Sequence, residues 1–483
     1  MTQTTNPDQG ALDTFRLIGP DPDNWVPDRP DVDHNVLIVG GGQSGTAFAF
    51  ALRRAGIGKV SVIDGAPDES LAGVWLTRAR MTRLRTPKVL PGPEAGLPAL
   101  SFQAWYEARH GADAYAKIER IPREQWAAYL AWYRHFLSIP IRYGTTLTRI
   151  EPADGHFRLH LSIHDGKRVW KVVETTRKII LANGVAGNGK PFIPDVLAAL
   201  PSTRLSHTSH DIDFAALRGK SLAVVGGAAS AFDAAATALE AGAADVHLFV
   251  RRASISSVPV TRSRAYPGAY DNYPALPDAV RWRQALRFRR SGSTPPPDAI
   301  ERVTRHDNFY LHLGTEWQHA HAVDQRIEVQ AAGHTFAFDH VIAGTGYAVD
   351  LNARAELADI ADHVLLWRDR HEPAPHERDD TLGAHPYLGE ALEYLEKTPG
   401  AAPWLRHIHI YNPAAFVSFG LPVGDVPSMK RDIPAVVRRI SRDLFIDDLA
   451  AHEARINADV APEFNEAQYA HRIWRADAVE SAG

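Results

Sequence analysis

The chain contains no cysteine among its 483 residues. Disulfide bonds, thiolate-ligated zinc or iron–sulfur centres and enzymes that work through a redox-active cysteine pair are therefore excluded. No apolar run reaches the ~18–20 residues needed to cross a bilayer. A net charge of −4 argues against a nucleic-acid-binding protein. Residues 1–8 lack the basic and apolar segments of a secretory signal, and we expect a cytoplasmic protein without an integral membrane segment.

Glycine is concentrated in turns that follow apolar runs. In the first such turn, the apolar run 36–39 precedes Gly40, Gly42 and Gly45. Gly40 allows a tight turn, Gly42 lets the backbone approach a pyrophosphate, and Gly45 lets the following helix pack against the strand. The next apolar run ends at Asp64, 19 residues after Gly45 and close to the ~20 expected for an acid that accepts the ribose hydroxyls. The pattern predicts a dinucleotide site at the N-terminus of a helix.

A second turn of the same kind follows the apolar run 222–225. Gly226 and Ala231 occupy the first and third positions of the fingerprint, and Ala228 replaces the usual second glycine. A predicted helix, Phe232 to Glu240, and a predicted strand, Asp245 to Val250, follow in order. A second dinucleotide site is therefore expected here, with Ser230 among its residues.

The strand predicted after this second turn ends in two basic residues, Arg251 and Arg252. Arginine suits the 2′-phosphate of NADPH, whereas an acid at this place would repel it. The pattern favours NADPH over NADH. The alternative is a pair of solvated arginines at a strand end.

Two dinucleotide sites in one chain indicate two cofactors whose reactive rings can meet, which is the arrangement of a flavin enzyme reduced by a nicotinamide. We predict an α/β fold with two Rossmann-like domains, for FAD and NAD(P)H, the second inserted in the first. The predicted boundaries are 1–33 for an extended N-terminal arm, 34–205 for the first part of the FAD-binding domain, 206–334 for the NAD(P)H-binding domain with an irregular insertion at 262–300, and 335–483 for the second part of the FAD-binding domain and the C-terminal segment.

Four segments carry a resemblance to a known family: 40–45, 72–75, 226–231 and 344–347. Together they resemble the flavoprotein monooxygenases with two dinucleotide domains, the group that includes flavin-containing and Baeyer–Villiger monooxygenases. The resemblance implies that FAD and NADPH are the cofactors, that Trp75 lies near the flavin, and that Gly344, Thr345 and Gly346 contact a cofactor.

A narrower resemblance is to bacterial FAD-dependent urate hydroxylase-type proteins. It is carried by the segments 84–88, 121–123, 386–389, 403–405 and 424–427. This resemblance implies a small, planar, polar ring such as urate as the substrate.

Two places depart from the broader family. Pro201 and Thr203 stand where an aromatic residue and a glycine precede the linker histidine, here His207. Arg85 replaces the asparagine that flavin-containing monooxygenases place near the flavin. These departures weaken the inference of a sulfide or amine oxidase.

The resemblance implies that NADPH reduces FAD, that reduced flavin adds dioxygen at C4a, and that this adduct transfers one oxygen atom to the substrate. A cation near the flavin would stabilise the developing negative charge. The candidate catalytic residues are Arg85, Lys88 and Asp425. The alternatives are a surface or phosphate-binding role for Arg85 and a helix N-cap for Asp425.

Other readings of the chain remain open. The spacing of His207, His210 and Asp211 suits a metal, but with 23 histidines in the chain we attribute it to chance and expect no metal site. An NAD(P)H-dependent reductase that passes electrons through FAD to a protein or quinone is a second candidate function. A redox sensor that binds both nucleotides without catalysis is a third.

Overall fold

The structure, a computed structural model, describes residues 5–420 and 423–474. The chain divides into two compact units, residues 1–441 and 442–483. The first contains all of the β-sheets described below. The described part of the second consists of the last residues of one helix, a further helix and short helical turns.

The strands are given in chain order. They are β1 (His34–Val39), β2 (Val60–Ile63), β3 (Arg83–Pro87), β4 (Arg120–Pro122), β5 (Ile141–Arg142), β6 (Thr145–Ala153), β7 (His156–His164), β8 (Val169–Leu181), β9 (Gly189–Pro191), β10 (Leu205–His207), β11 (Ser221–Val225), β12 (Asp245–Val250), β13 (Phe309–Leu313), β14 (Trp317–Val323), β15 (Arg326–Ala331), β16 (His334–Phe338), β17 (His340–Ala343), β18 (Tyr347–Val349) and β19 (Ile408–Ile410).

The α-helices follow the same convention. They are α1 (Pro7–Ile18), α2 (Gln43–Arg54), α3 (Phe102–His110), α4 (Ala112–Lys117), α5 (Arg123–Phe136), α6 (Asp195–Ala198), α7 (Ala229–Glu240), α8 (Pro267–Asn272), α9 (Asp278–Ser291), α10 (Pro297–Thr304), α11 (Trp367–Arg370), α12 (Asp380–Gly383), α13 (Phe416–Phe419), α14 (Met429–Asp447) and α15 (Leu449–Ile456).

The first sheet has the strand order β5-β2-β1-β8-β7-β6, with β19 also paired to β8. Strand β1 lies between β2 and β8 and is parallel to both. Its residues Val36, Leu37 and Ile38 are fully buried, as expected for a parallel strand covered on both faces. The carboxyl end of β1 is therefore held at the centre of the sheet, where the first glycine turn begins.

The second sheet is wholly parallel, in the order β10-β17-β11-β12-β13. We expected the chain to return to the first domain from residue 335. Strand β17 instead pairs with β10 and β11, because its fully buried apolar run continues the core of the second sheet. Strand β19 then joins β8 in the first sheet. The predicted α/β fold with the second domain inserted in the first is confirmed.

The two crossings between the domains lie side by side. Residues Gly189–Pro191 of β9 pair antiparallel with Tyr347–Val349 of β18. The chain therefore leaves the first domain and comes back to it through one two-stranded ribbon.

Two segments differ from their sequence-based prediction. The predicted extended arm contains helix α1, because the Asn6 side chain accepts a hydrogen bond from the Asp8 N–H and Pro7 suits the first helical position. The predicted irregular insertion contains α8, α9 and the start of α10. In α9, Trp282, Ala285 and Leu286 form a buried face that the surrounding arginines obscure in the sequence.

Within residues 5–420 and 423–474, no helix has both the length and the apolar character needed to cross a membrane.

Candidate cofactor and substrate site

The first glycine turn is closely packed at two of its glycines and open at the third. A Cβ atom on Gly40, whose φ is +109°, would lie 2.3 Å from the Ala182 carbonyl oxygen. A Cβ atom on Gly45 would lie 1.8 Å from the Gly40 carbonyl oxygen. A Cβ atom on Gly42 would meet only the Gly73 Cα, at 3.7 Å. The space that a side chain at Gly42 would fill is the space that a pyrophosphate needs.

The groups around this turn suit a dinucleotide. Helix α2 starts after Gly42, and no side chain caps its N-terminus. The Asp64 carboxylate, at the end of β2, accepts hydrogen bonds from the N–H groups of Gly41 and Ala66, each at 2.7 Å. These bonds orient the carboxylate beside the turn and leave lone pairs for ribose hydroxyls. The donors and acceptors present therefore fit FAD.

The segment 72–75 passes over this turn, since Gly73 faces Gly42. The ring of Trp75 packs edge-on against Trp126, with centroids 6.3 Å apart. The Trp126 Nε1 donates to Gln43 Oε1, and the Gln43 Nε2 donates to the Gly424 carbonyl, both at 3.1 Å. Gln43 thus ties the start of α2 to the turn that carries Asp425.

The second glycine turn is also closely packed. A Cβ atom on Gly226 would lie 2.3 Å from the Gly344 carbonyl oxygen, and one on Gly344 would lie 2.6 Å from the Ala231 Cβ. Ala228 is the N-cap of α7 without a side-chain cap, and Ser230 is exposed in the first turn of this helix. The first-turn N–H groups and the Ser230 hydroxyl suit a phosphate.

The residues after Gly344 fasten the crossing between the two domains. The Thr345 hydroxyl donates to the Phe192 carbonyl, and the Gly346 carbonyl accepts from the Phe192 N–H at 2.9 Å. A contact of Thr345 and Gly346 with a cofactor stays a prediction.

The two arginines after β12 have different surroundings. Arg252 donates to the Ser291 carbonyl at 2.7 Å and so caps the C-terminal end of α9. Arg251 is exposed. Both line a cavity of about 420 Å³ together with Arg289, Arg290 and Asp379. Its lining of four guanidiniums and one carboxylate suits the 2′-phosphate of NADPH.

Arg85 reaches from the first domain to the second. Its Nη2 lies 2.8 Å from Oδ2 of Asp233, on α7. Asp233 is buried, and burial raises the pKa of its carboxyl, although Arg85 and Arg302 oppose the rise. The Arg302 Nη1 lies 3.3 Å from Oδ1 of the same carboxylate. Asp233 therefore fixes the Arg85 guanidinium against α7, the helix that follows the second glycine turn.

Asp425 lies near Arg85. Solvent reaches the Asp425 side chain, yet the protein around it desolvates the carboxyl enough to raise its pKa, and the positive charge of Arg85 opposes that rise. The Asp425 carboxylate also accepts from the Val426 N–H at 2.8 Å, as the predicted N-cap. The structure thus brings together two predicted catalytic residues that are 340 positions apart.

Lys88, the third predicted catalytic residue, points elsewhere. Its Nζ donates to the Tyr115 carbonyl at 2.7 Å and lies 4.3 Å from the centre of the Tyr115 ring. It lines a cavity of about 170 Å³ with Trp126 and Val426. The hydrogen bond to the Tyr115 carbonyl holds the Lys88 ammonium at the end of α4.

Sequence reasoning missed Asp233 and Arg302. The signal for Asp233 was an acid in the alanine-rich helix 229–240, where burial of a charge requires a partner. Arg302 carried no such signal, because it lies among many arginines. It also binds Glu240, with Nη2 to Oε2 at 2.8 Å, and the carbonyl of Arg80 at 3.0 Å.

The histidines around residue 207 form local contacts. The Nδ1 of His210 accepts from the His207 N–H at 3.1 Å, and burial lowers the pKa of His207 to about 4. In the part of the chain that the structure describes, no group of three or more histidine, aspartate or glutamate side chains is placed to hold a metal.

Comparisons with known proteins agree with this geometry. Residues 37–265 match the family described as pyridine nucleotide-disulphide oxidoreductase. Since the chain contains no cysteine, the match reflects the dinucleotide fold and not disulfide chemistry. The chain is 39% identical over 446 residues to the FAD-dependent urate hydroxylase of Xanthomonas campestris pv. campestris, and the match covers 90% of this chain and 92% of that protein.

Solved structures share most of this fold. The reduced form of ornithine hydroxylase from Pseudomonas aeruginosa is 20% identical, with a TM-score of 0.66 over 86% of this chain and 100% of that one. The ornithine N-hydroxylase of Kutzneria sp. 744 is 16% identical, with a TM-score of 0.64 over 85% of this chain and 99% of that one. At this identity the two structures support the fold alone. From the extent and identity of the match to the urate hydroxylase, the chain belongs to that protein's family, the flavoprotein monooxygenases built on two dinucleotide-binding domains.

Proposed function

We propose that the protein is an NADPH-reduced, FAD-dependent monooxygenase that hydroxylates urate or a closely related planar, anionic heteroaromatic. The observation that carries the proposal is the 39% identity to an FAD-dependent urate hydroxylase over 90% of this chain. The overall reaction balances when urate, O2, NADPH and one proton yield hydroxylated urate, NADP+ and water.

Each cofactor has residues that suit it. Gly40, Gly42, Gly45 and Asp64 would hold FAD, with Trp75 over the same turn. Gly226, Ala228 and Ser230 would hold the NADPH pyrophosphate, and Arg251 would contact the 2′-phosphate. When bound, FAD supplies the acceptance of hydride and the activation of dioxygen, which no side chain of this protein provides.

Arg85 and Asp425 have complementary roles in this proposal. Arg85 is fixed by Asp233 at 2.8 Å and offers a permanent positive charge to an anionic substrate or a developing oxyanion. Asp425 has a raised pKa, so it retains a proton to a higher pH than an ordinary aspartate does and can hand one on. In this scheme Lys88 stabilises α4, because its ammonium donates a hydrogen bond to the Tyr115 carbonyl of that helix.

The test is the stoichiometry of turnover under labelled dioxygen. We expect urate to stimulate NADPH oxidation and the three substrates to be consumed in equal amounts. With ¹⁸O2, one labelled oxygen atom should appear in the hydroxylated product. NADPH oxidation that is unchanged by urate, with stoichiometric peroxide and no labelled product, would favour the alternative of a flavin reductase.

A further inference from the structure

A cavity of about 170 Å³ lies beside the turn that carries Asp425. Its wall includes Val426, the residue that follows Asp425, and Trp126, whose indole Nε1 donates to Gln43 at the start of α2. Of the residues that the structure describes, none from either glycine turn lines this cavity. The cavity is therefore next to the candidate flavin site but is not formed by the two dinucleotide turns.

Strand β3 separates the cavity from the Arg85 guanidinium. Leu84 and Thr86 line the cavity, whereas Arg85, between them in the strand, binds Asp233 on α7 at 2.8 Å. Successive side chains of a strand point to opposite faces. A ligand in the cavity would therefore lie on the other side of β3 from the positive charge that is proposed to face the anionic substrate.

Glu94 provides a buried carboxyl group at the cavity wall. Its residue is 8% exposed, and its Oε2 accepts a hydrogen bond from the Gly92 N–H at 2.7 Å. A Cβ atom on Gly92 would lie 3.3 Å from Trp126 Cη2 and from Val426 Cγ1, and 3.4 Å from the same Glu94 Oε2. The carboxyl, the indole and the valine side chain thus meet at one point of the wall.

The groups that compensate the Glu94 carboxyl in the described part of the chain are main-chain N–H groups. They belong to Gly92 and to Glu94 itself, and no cation among residues 5–420 and 423–474 forms an ion pair with the carboxyl. Burial raises the pKa of this carboxyl, and the main-chain hydrogen bonds offset only part of the rise. The carboxyl oxygens therefore have lone pairs left for a further donor.

The other lining residues define what such a donor can be. The rings of Phe102 and Trp126, with centroids 5.8 Å apart, give the cavity an aromatic wall that suits a planar ring. An engineered protein cavity of about 150 Å³ holds benzene, so a volume of this order accommodates one such ring. Lys88 also lines the cavity, and its positive charge disfavours a cation and favours a carbonyl oxygen. These properties describe an uncharged planar ring with N–H and carbonyl groups.

We propose that this cavity is a second ligand site, which binds a small uncharged planar ring with an N–H group beside a carbonyl group, as in cyclic amides and ureides. Glu94 accepts the hydrogen bond from the ring N–H, and the aromatic wall packs against the ring. Binding at this site does not depend on urate oxidation.

The experiment measures binding of three probes, uracil, 2-pyridone and 2-imidazolidinone, to the FAD-loaded protein. The readouts are the dissociation constant from titration calorimetry and the change in melting temperature. The variants are Glu94→Gln and Glu94→Leu. Glu119→Leu is the matched control, because Glu119 is exposed and does not line the cavity. The compound 1,3-dimethyluracil, which has no N–H group, is the control ligand.

We expect at least one probe to bind and to raise the melting temperature, and 1,3-dimethyluracil to do neither. Glu94→Gln should weaken probe binding at least tenfold, because a carboxamide oxygen is a weaker acceptor than a carboxylate. This variant keeps an acceptor for the Gly92 N–H and should fold as the parent does. Glu94→Leu should abolish probe binding, and Glu119→Leu should change neither readout.

Three binding results would overturn the inference. One is that none of the three probes binds the parent protein. A second is parental probe affinity in both Glu94 variants, which would leave Glu94 with a structural role at Gly92. A third is equal binding of uracil and 1,3-dimethyluracil, which would show that no N–H group is recognised.

Two further measurements separate this site from the sites already described. If a probe binds only the FAD-free protein, the cavity belongs to the flavin and is not a second site. If a probe inhibits urate-dependent NADPH oxidation in competition with urate, the cavity is the substrate pocket. Binding to the FAD-loaded protein without such competition supports the inference. If urate is not oxidised at all, the proposed function fails, but the Glu94-dependent binding of the probes still decides whether the cavity is a ligand site.

Discussion

At the scale of single residues, the most informative side chains are charged groups that are shielded from solvent and need an oppositely charged partner. Asp233 is the clearest case, because two arginines from different elements hold its buried carboxylate. Arg85 is one of them, and its side chain is still 42% exposed. The guanidinium therefore has one edge on Asp233 and another available beside Asp425.

We expect Arg85→Ala to lower kcat/KM for urate by about 100-fold, because it removes the positive charge proposed to face the substrate. FAD content should not change, since the first glycine turn does not involve Arg85. The measurement is steady-state turnover with the peroxide yield, on protein of known FAD content. Arg83→Ala, an exposed substitution on the same strand, is the control. A variant that retains FAD and fully coupled turnover would exclude Arg85 from the mechanism.

The site residues that could be predicted from the sequence are those whose residue type is required by the local backbone geometry. Gly40 and Gly45 belong to this group, because the contacts that exclude a Cβ atom arise from the turn itself and its strand neighbours. The convergence of Arg85 with Asp425 was not derivable from spacing. It arises from contacts between distant parts of the chain, and the Gln43 hydrogen bond to the Gly424 carbonyl, between positions 381 residues apart, is one of them.

At the scale of elements, the same basic residue type serves two purposes at the end of β12. Arg252 caps α9, with its carbonyl acceptor 2.7 Å away, whereas Arg251 is exposed toward the arginine-lined cavity. Sequence alone predicted the pair as one feature. It also predicted an irregular segment where α9 lies, because a high density of arginine hides the helical spacing of its buried residues.

We expect Arg251→Ala to weaken NADPH binding by about 10- to 100-fold and to leave NADH binding unchanged, because only NADPH carries the 2′-phosphate. The measurement is the KM of each nicotinamide in flavin reduction. The comparison variant is Arg252→Ala, which should lower thermal stability through loss of the α9 cap. Equal losses for NADPH and NADH in Arg251→Ala would contradict the assignment.

At the scale of the whole molecule, burial keeps several of the described histidines neutral. Burial lowers the pKa values of His207, His340 and His385 to about 4 each, against an ordinary value of 6.5. The unfolded chain takes up protons at these positions as the pH falls below 6.5, but the folded chain does not. Each of these histidines therefore lowers the free energy of unfolding as the pH falls from 6.5 to about 4.

We expect His340→Gln to remove one such contribution, about 1.4 kcal/mol per pH unit within that window. Glutamine can keep a hydrogen bond to Ser206, which lies 2.9 Å from His340 Nε2. The measurement is the midpoint of urea unfolding for the parent and the variant at several pH values. The range, about pH 4.5 to 7.5, includes the ordinary histidine pKa of about 6.5. If the difference between the two proteins does not change with pH, the pKa of His340 is not lowered in the folded state.

The ribbon of β9 and β18 has a consequence for how the enzyme can be rebuilt. Because Pro191 and Tyr347 are register partners, the two ends of the inserted domain are only about 5 Å apart. A gene segment that encodes this domain can therefore be exchanged for that of a relative without a long joining peptide. Such chimaeras would recombine nicotinamide preference with an unchanged flavin domain, and the junctions would fall inside a paired ribbon.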